Sequence, residues 1–192
     1  MGATLAIERF GPRLLLFTGG AGGLDPALRI GDVVIAERVI QHDTGIAGPD
    51  GFQPYQAGHL PFFNPTDRSG HRPSPALLAY ARAALDDLEL EAVLDRTPRI
   101  MFGTVATGDQ FIESEADRVR IQETFGAHAV EMEGAAAAQV ARHLGVDCLV
   151  VRALSDLAGA GSEIDFERFL SEVSINSITV VRALIGAVAT GR

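Results

Sequence analysis

Two acids flanking a methionine, Glu131-Met132-Glu133, and an arginine four residues before an acid, Arg152-Ala153-Leu154-Ser155-Asp156, are the places where this sequence could do chemistry. Both follow short apolar runs, and the carboxyl ends of strands are where α/β sheets build ligand sites. If a strand continues through Met132, residues two apart share a face and both glutamates point into one cleft. Burying both would require a partner for each, whereas Glu133 alone suits a helix start, where the macrodipole favours an anion. An acid at a strand's carboxyl edge, such as Asp156, is placed to donate a proton. A structural ion pair with Arg152 is the plainer alternative for the same two residues. A third feature is Gly19-Gly20-Ala21-Gly22-Gly23, small residues that let a ligand touch backbone. Its spacing fails both the dinucleotide fingerprint and the P-loop, so a site and a simple turn both stay open.

Other chemistries find no support in the spacing. The five histidines, His42, His59, His71, His128 and His143, lack metal-ligand spacing, and His42-Asp43 is an isolated pair. No metal is expected, and no G-x-S-x-G elbow marks a hydrolase serine. Cys148 is the one cysteine, which rules out an intramolecular disulfide and a multi-cysteine zinc site; within an apolar run it reads as an inert core thiol.

The elements that must position these residues alternate. Strands are expected at Leu14–Thr18, entering a glycine loop, at Asp32–Ala36, at Ile100–Val105, at Ala129–Met132 and at Cys148–Val151. Ser74-Pro75 reads as an N-cap with proline at the first helical position, and Ser114-Glu115-Ala116-Asp117 has capping-box spacing. An alanine-rich helix runs from Gly134 to Leu144, closed by Gly145, and a last helix from about Phe166 to Val188. From Thr44 to Ser74 there is no periodicity, the mark of a functional or irregular connection. This alternation predicts one α/β domain, residues 1–192, with a largely parallel or mixed sheet. Composition fits that class, with 47% hydrophobic and 21% charged residues. The net charge of −9 argues against nucleic-acid binding. No apolar run approaches the roughly eighteen residues of a membrane span, and no signal peptide opens the chain. A soluble cytoplasmic protein is the expectation.

The order of the motifs is more specific than any one of them. Phe17-Thr18-Gly19-Gly20-Ala21-Gly22-Gly23, Gly31-Asp32-Val33-Val34-Ile35, His42-Asp43, Thr107-Gly108-Asp109-Gln110-Phe111-Ile112, Val130-Glu131-Met132-Glu133-Gly134-Ala135-Ala136 and Val151–Asp156 occur in turn. Together they resemble the nucleoside phosphorylase/nucleosidase family, from Leu14 onward, and most closely its branch that cleaves methylthioadenosine and adenosylhomocysteine. The resemblance implies a mixed, partly barrel-like β-sheet surrounded by helices, a purine nucleoside as the small-molecule partner, no cofactor, and a homodimer. It implies that Phe111 stacks on the purine while the Ile112 backbone bonds its edge. Met132 would pack on the sugar, Glu133 would bind the ribose hydroxyls, and Asp156 beside Ser155 would protonate purine N7. Ala21, Gly22 and Arg152 complete the expected substrate-binding set. Phe52 and Tyr55, with Phe62 and Phe63, would reach the neighbouring subunit's pocket.

Two departures from the family pattern bear on the reaction. Phosphorylases of the family carry an arginine and a serine where Phe17 and Gly20 stand here, so water is the expected nucleophile. The family's N-terminal strand, glutamate-rich turn and helix have no counterpart before Leu14, where Met1–Phe10 reads as the end of a helix containing Glu8. That turn supplies the water-activating glutamate, and its absence would leave an open sheet edge. Three explanations follow: a shortened gene product, use of another carboxylate such as Glu131 or Asp43, or nucleoside binding with impaired turnover. A phosphorylase is the remaining alternative.

Overall fold

The computed structural model describes residues 1–49, 51–59, 69–159 and 162–190; the side chains of 162–168, 170 and 187–190 fall outside that description, as do Phe62 and Phe63. The chain runs α1 (Gly2–Phe10), β1 (Leu14–Gly23), β2 (Val33–Gln41), β3 (Gly45–Gly48), β4 (Gly51–Pro54), α2 (Pro75–Leu85), β5 (Ile100–Thr107), α3 (Glu115–Phe125), β6 (Ala129–Glu131), α4 (Gly134–His143), β7 (Asp147–Asp156) and α5 (Ser162–Thr190). Five strands close into a barrel in the order β1-β6-β5-β2-β7. Three pairings are parallel, β1/β7, β2/β5 and β5/β6, and two antiparallel, β1/β6 and β2/β7. The sheet is therefore mixed and barrel-like, with helices around it.

Period-two alternation explains the continuous apolar runs of the central strands. Cys148 and Val150 of β7, with Val34 and Ala36 of β2, face a core shared with Ala135, Ala138 and Ala141 of α4. Their neighbours Leu149, Val151, Val33 and Ile35 face the opposite core, built with Ala81 and Leu85 of α2 and Phe169, Val173 and Leu184 of α5. Strands covered on both faces are apolar at every position. The helix signals hold: Ser74 Oγ accepts from Leu77 N at 3.2 Å, and Ser114 Oγ from Asp117 N at 3.4 Å.

Several boundaries differ from expectation. The glycine cluster is not a loop, because β1 continues through it to Gly23, hydrogen-bonded to β7 and, at Gly22 and Gly23, to β6. Along Leu14–Ala21 the second edge of β1 meets no strand among the described residues. The stretch from Thr44 holds a two-stranded hairpin, β3–β4, whose short glycine-rich strands carry too little pattern to read. β6 ends at Glu131 rather than Met132, since the chain turns there to begin α4.

Candidate active site

The carboxyl ends of β1, β6 and β7 meet around a cavity of about 430 Å³. Of the expected substrate residues, Ala21, Gly22, Phe111, Ile112, Met132, Glu133, Arg152 and Asp156 all line it, together with Phe17, Thr18, Gln110 and Glu131. Ser155 lies behind the wall, fully buried, its hydroxyl 3.1 Å from Asp156 Oδ2 and 3.4 Å from the Ala21 carbonyl. Phe52 and Tyr55 do not reach the cavity of their own chain; they belong to the β3–β4 hairpin and the residue after it, and Phe52 is exposed.

Glu131 and Glu133 do not share a face. Because the strand ends at Glu131, that carboxylate turns inward, 6% exposed, while Glu133 stands at the N-cap of α4 with its side chain open to the cavity. Glu131 Oε2 accepts from the Gly134 and Glu133 N–H groups at 2.7 and 3.1 Å; Oε1 accepts from Gly134 N at 3.0 Å and from the Thr107 hydroxyl. The same hydroxyl accepts from Ala135 N at 2.9 Å. The first N–H groups of a helix have no partner within it, and here Glu131 and Thr107 supply partners for three backbone donors in a row. An anion at this end is also favoured by the helix dipole.

Arg152 completes the arrangement. It is 3% exposed, forms an ion pair with Glu131, and lies 3.7 Å from Glu133 Oε2. The ion pair that Arg152 forms is thus with Glu131, and not the one with Asp156 that was the plainer alternative to a site role. The guanidinium packs 4.8 Å from the centre of the Phe17 ring, and its Nε has no partner among the described residues. Gly19 makes room for it, since a Cβ at that position would collide with Nη1.

Asp156 ends β7 and is 3% exposed, yet it lines the cavity. Its Oδ1 accepts from Ala158 N at 2.9 Å, which fixes the carboxyl plane against the turn that follows. A Cβ at Gly22 would stand 2.8 Å from Oδ1 and 2.9 Å from Ala158 Cβ, so glycine is needed here for close approach and not for turning. Asp43 lies outside the cavity; its Oδ2 accepts from Asp109 N at 2.7 Å and ties β2 to the loop carrying Phe111. Beside it His42 is 1% exposed, its Nε2 without a partner among the described residues, and burial holds its pKa below the usual value despite the pull of Asp43.

Three carboxylates and one already-paired guanidinium give the lining an acidic balance. Such a cavity repels a phosphate dianion and suits a ligand that develops positive charge. Among the described residues no group of three or more His, Cys, Asp or Glu could hold a metal ion. Phe17, expected where phosphorylases carry an arginine, does line the cavity, whereas Thr18 as a lining residue and Thr107 as a partner of Glu131 were not singled out by the sequence; an acid just before a helix start was the available signal for Glu131 as an anchor.

The sequence profile of the phosphorylase superfamily matches residues 1–186. The chain belongs to that superfamily. It is 47% identical over 189 residues to the 5′-methylthioadenosine/S-adenosylhomocysteine nucleosidase of Mycobacterium bovis, covering 95% of this chain and 74% of the relative. It is 37% identical to the aminodeoxyfutalosine nucleosidase of Campylobacter jejuni, covering 93% of this chain and 72% of that protein. Among solved structures, the Helicobacter pylori 5′-methylthioadenosine/S-adenosylhomocysteine nucleosidase superposes with a TM-score of 0.78 at 30% identity, over 96% of this chain and 73% of that one. The superfamily fold thus agrees with the mixed barrel.

Proposed function

We propose that this protein hydrolyses the N-glycosidic bond of purine nucleosides of the methylthioadenosine/adenosylhomocysteine type, releasing adenine and a thioribose. The observation that carries this reading is the buried Asp156 at the end of β7, lining one cavity with exposed Phe111 and open Glu133. The chain's similarity to the 5′-methylthioadenosine/S-adenosylhomocysteine nucleosidases of Mycobacterium bovis and Helicobacter pylori supports it.

In this reading the base lies on Phe111, an aromatic platform offering area and orientation, with the buried Ile112 backbone at its edge. Asp156 gives its proton to purine N7 as the C1′–N9 bond breaks. The electron pair of that bond leaves with the adenine, which N7 protonation makes a better leaving group. The ribose becomes oxocarbenium-like, and the Glu133 carboxylate, gripping the hydroxyls, stabilises that charge. Met132 packs on the sugar. Water adds at C1′ and gives up a proton to solvent, from which Asp156 regains the one it gave to N7, so nucleoside and water give adenine and free thioribose. Glu131 is not the base, since both its oxygens are held by donors; Asp43 is not, since it lies outside the cavity.

Hydrolysis is favoured over phosphorolysis by the acidic lining and by Phe17, which offers no charge to a phosphate. Residues 1–192 act as one unit in this reading, in the cytoplasm. Two copies associate, so that Phe52 and Tyr55 of one reach the 5′-substituent pocket of the other. Light scattering should report a dimer; a monomer that still binds nucleoside would remove the shared pocket.

The test is adenine release from methylthioadenosine, with and without phosphate, by the wild type and by Asp156→Asn. Turnover is expected without phosphate and should fall about 10²–10⁴-fold in the variant, the usual scale of general acid catalysis. A requirement for phosphate would make the protein a phosphorylase. Binding without turnover would make it an impaired relative.

A further inference from the structure

A second cavity, of about 350 Å³, lies at the opposite end of β7, where Asp147 and Cys148 begin the strand. None of its lining residues also lines the nucleoside cavity among the described residues. Val39, Ala138, Val146 and Val150 give it an apolar wall, while His71, Arg72 and Arg142 bring polar groups to it.

His71 is 9% exposed and held on both sides of its backbone, its N–H donating to Val39 O at 2.8 Å and its carbonyl accepting from Val39 N at 2.9 Å. Its tautomer follows from its neighbours. Gln56 Oε1 accepts from the Gly70 N–H, which turns the Gln56 amide nitrogen toward His71 Nε2 at 3.1 Å. An amide nitrogen can only donate, so Nε2 accepts and the proton sits on Nδ1. That Nδ1–H is buried and has no acceptor among the described residues. Burial, with the nearby charges of Arg142 and His59, lowers the imidazole pKa, so the ring is neutral near pH 7 and offers one donor.

Arg72 and Arg142 are both exposed at the rim, and neither forms an ion pair among the described residues. The one acid of the lining, Asp147, is committed to backbone, accepting from Ser74 N at 3.1 Å and Cys148 N at 3.0 Å. Two guanidiniums without an ion pair among the described residues, Arg72 donating to the Glu37 carbonyl at a long 3.5 Å, stand beside an apolar wall and form the complement of an amphipathic anion. The apolar wall and the neighbouring Asp147 charge disfavour a compact dianion such as phosphate.

We propose that this cavity binds a small organic carboxylate, its charged end held by Arg142 and Arg72, its apolar body against Val39, Ala138, Val146 and Val150. His71, in the wall of the same cavity, reports its occupancy.

The experiment follows the His71 imidazole by NMR in the full chain while benzoate is added, with benzyl alcohol as a neutral analogue of similar shape. Benzoate should produce a saturable His71 shift that adenine, at saturation, does not displace. Benzyl alcohol should bind about tenfold or more weakly, and Arg142→Ala, an exposed position, should weaken benzoate by about tenfold, the scale of one charge-assisted contact. Equal binding of the alcohol, undiminished binding by Arg142→Ala, competition by adenine, or no saturable shift would each overturn the proposal.

Discussion

Glu131 and Glu133 are separated by one residue and have opposite physical circumstances. Glu131 is buried, paired with Arg152 and bonded to three other donor groups; Glu133 is open and merely near Arg152. Their substitutions should therefore part stability from activity. Glu131→Gln removes one member of a buried charge pair and faces an amide nitrogen toward donors. It should lose about 3–5 kcal/mol of unfolding free energy, read from a urea midpoint. Glu133→Gln should stay within about 0.5 kcal/mol of the wild type, as exposed substitutions do. If Glu133 grips the ribose, that variant should still lose about 10²-fold or more in kcat/KM, with much of the loss in kcat. A destabilised Glu133→Gln with normal kinetics would reverse the two roles. Alternation along a strand put both acids on one face, and only the resemblance gave the ribose to Glu133, because the turn at Glu131 depends on Thr107 and Arg152, distant in sequence.

At the scale of elements, β1, β6 and β7 end together, and small residues on β1 let side chains from β7 come close. Gly22→Ala is the sharpest probe of that packing. The added Cβ would meet Asp156 Oδ1 and Ala158 Cβ, both under 3.0 Å, so one of them must move. Activity should fall by about 10²-fold, as displacements near 1 Å at a reacting group do, while adenine binding changes little. Unaltered kcat would show that Asp156 tolerates displacement and would weaken its role. Most elements were legible: the capped helices α2 and α3, the alanine helix α4 and the apolar strands followed from caps and periodicity. The extension of β1 through five small residues was not, because glycine carries no strand signal and its pairing comes from β7. The β3–β4 hairpin was hidden for the same reason. The motif order also located the cavity residues, whereas the ion pair between Arg152 and Glu131 depends on barrel closure, which no local pattern encodes.

Across the whole molecule, two buried histidines link stability to pH. His42 and His71 both have pKa values lowered by burial; Asp43 opposes this at His42, while Arg142 and His59 add to it at His71. A lowered folded pKa means that the unfolded chain binds protons first as pH falls. Each histidine's contribution is thus fully present above about pH 6.5 and is lost as pH drops from there toward the lowered folded values. The loss is at most about 1.4 kcal/mol per pH unit for each. Urea midpoints between pH 7.5 and 5 should decline for the wild type, and the slope should be smaller in His42→Gln. Equal slopes would mean that His42 stays unprotonated in both states or titrates alike in both. The barrel carries the nucleoside cavity at one end of β7 and the carboxylate cavity at the other, with α4 spanning Glu133 to Arg142 between them.

The sugar product reports most directly which bond breaks and what adds at C1′. Methylthioadenosine is incubated with the protein in phosphate buffer, and the sugar formed alongside adenine is identified. Free 5-methylthioribose is the expected product. The 1-phosphate of that sugar, or unreacted nucleoside, would contradict it.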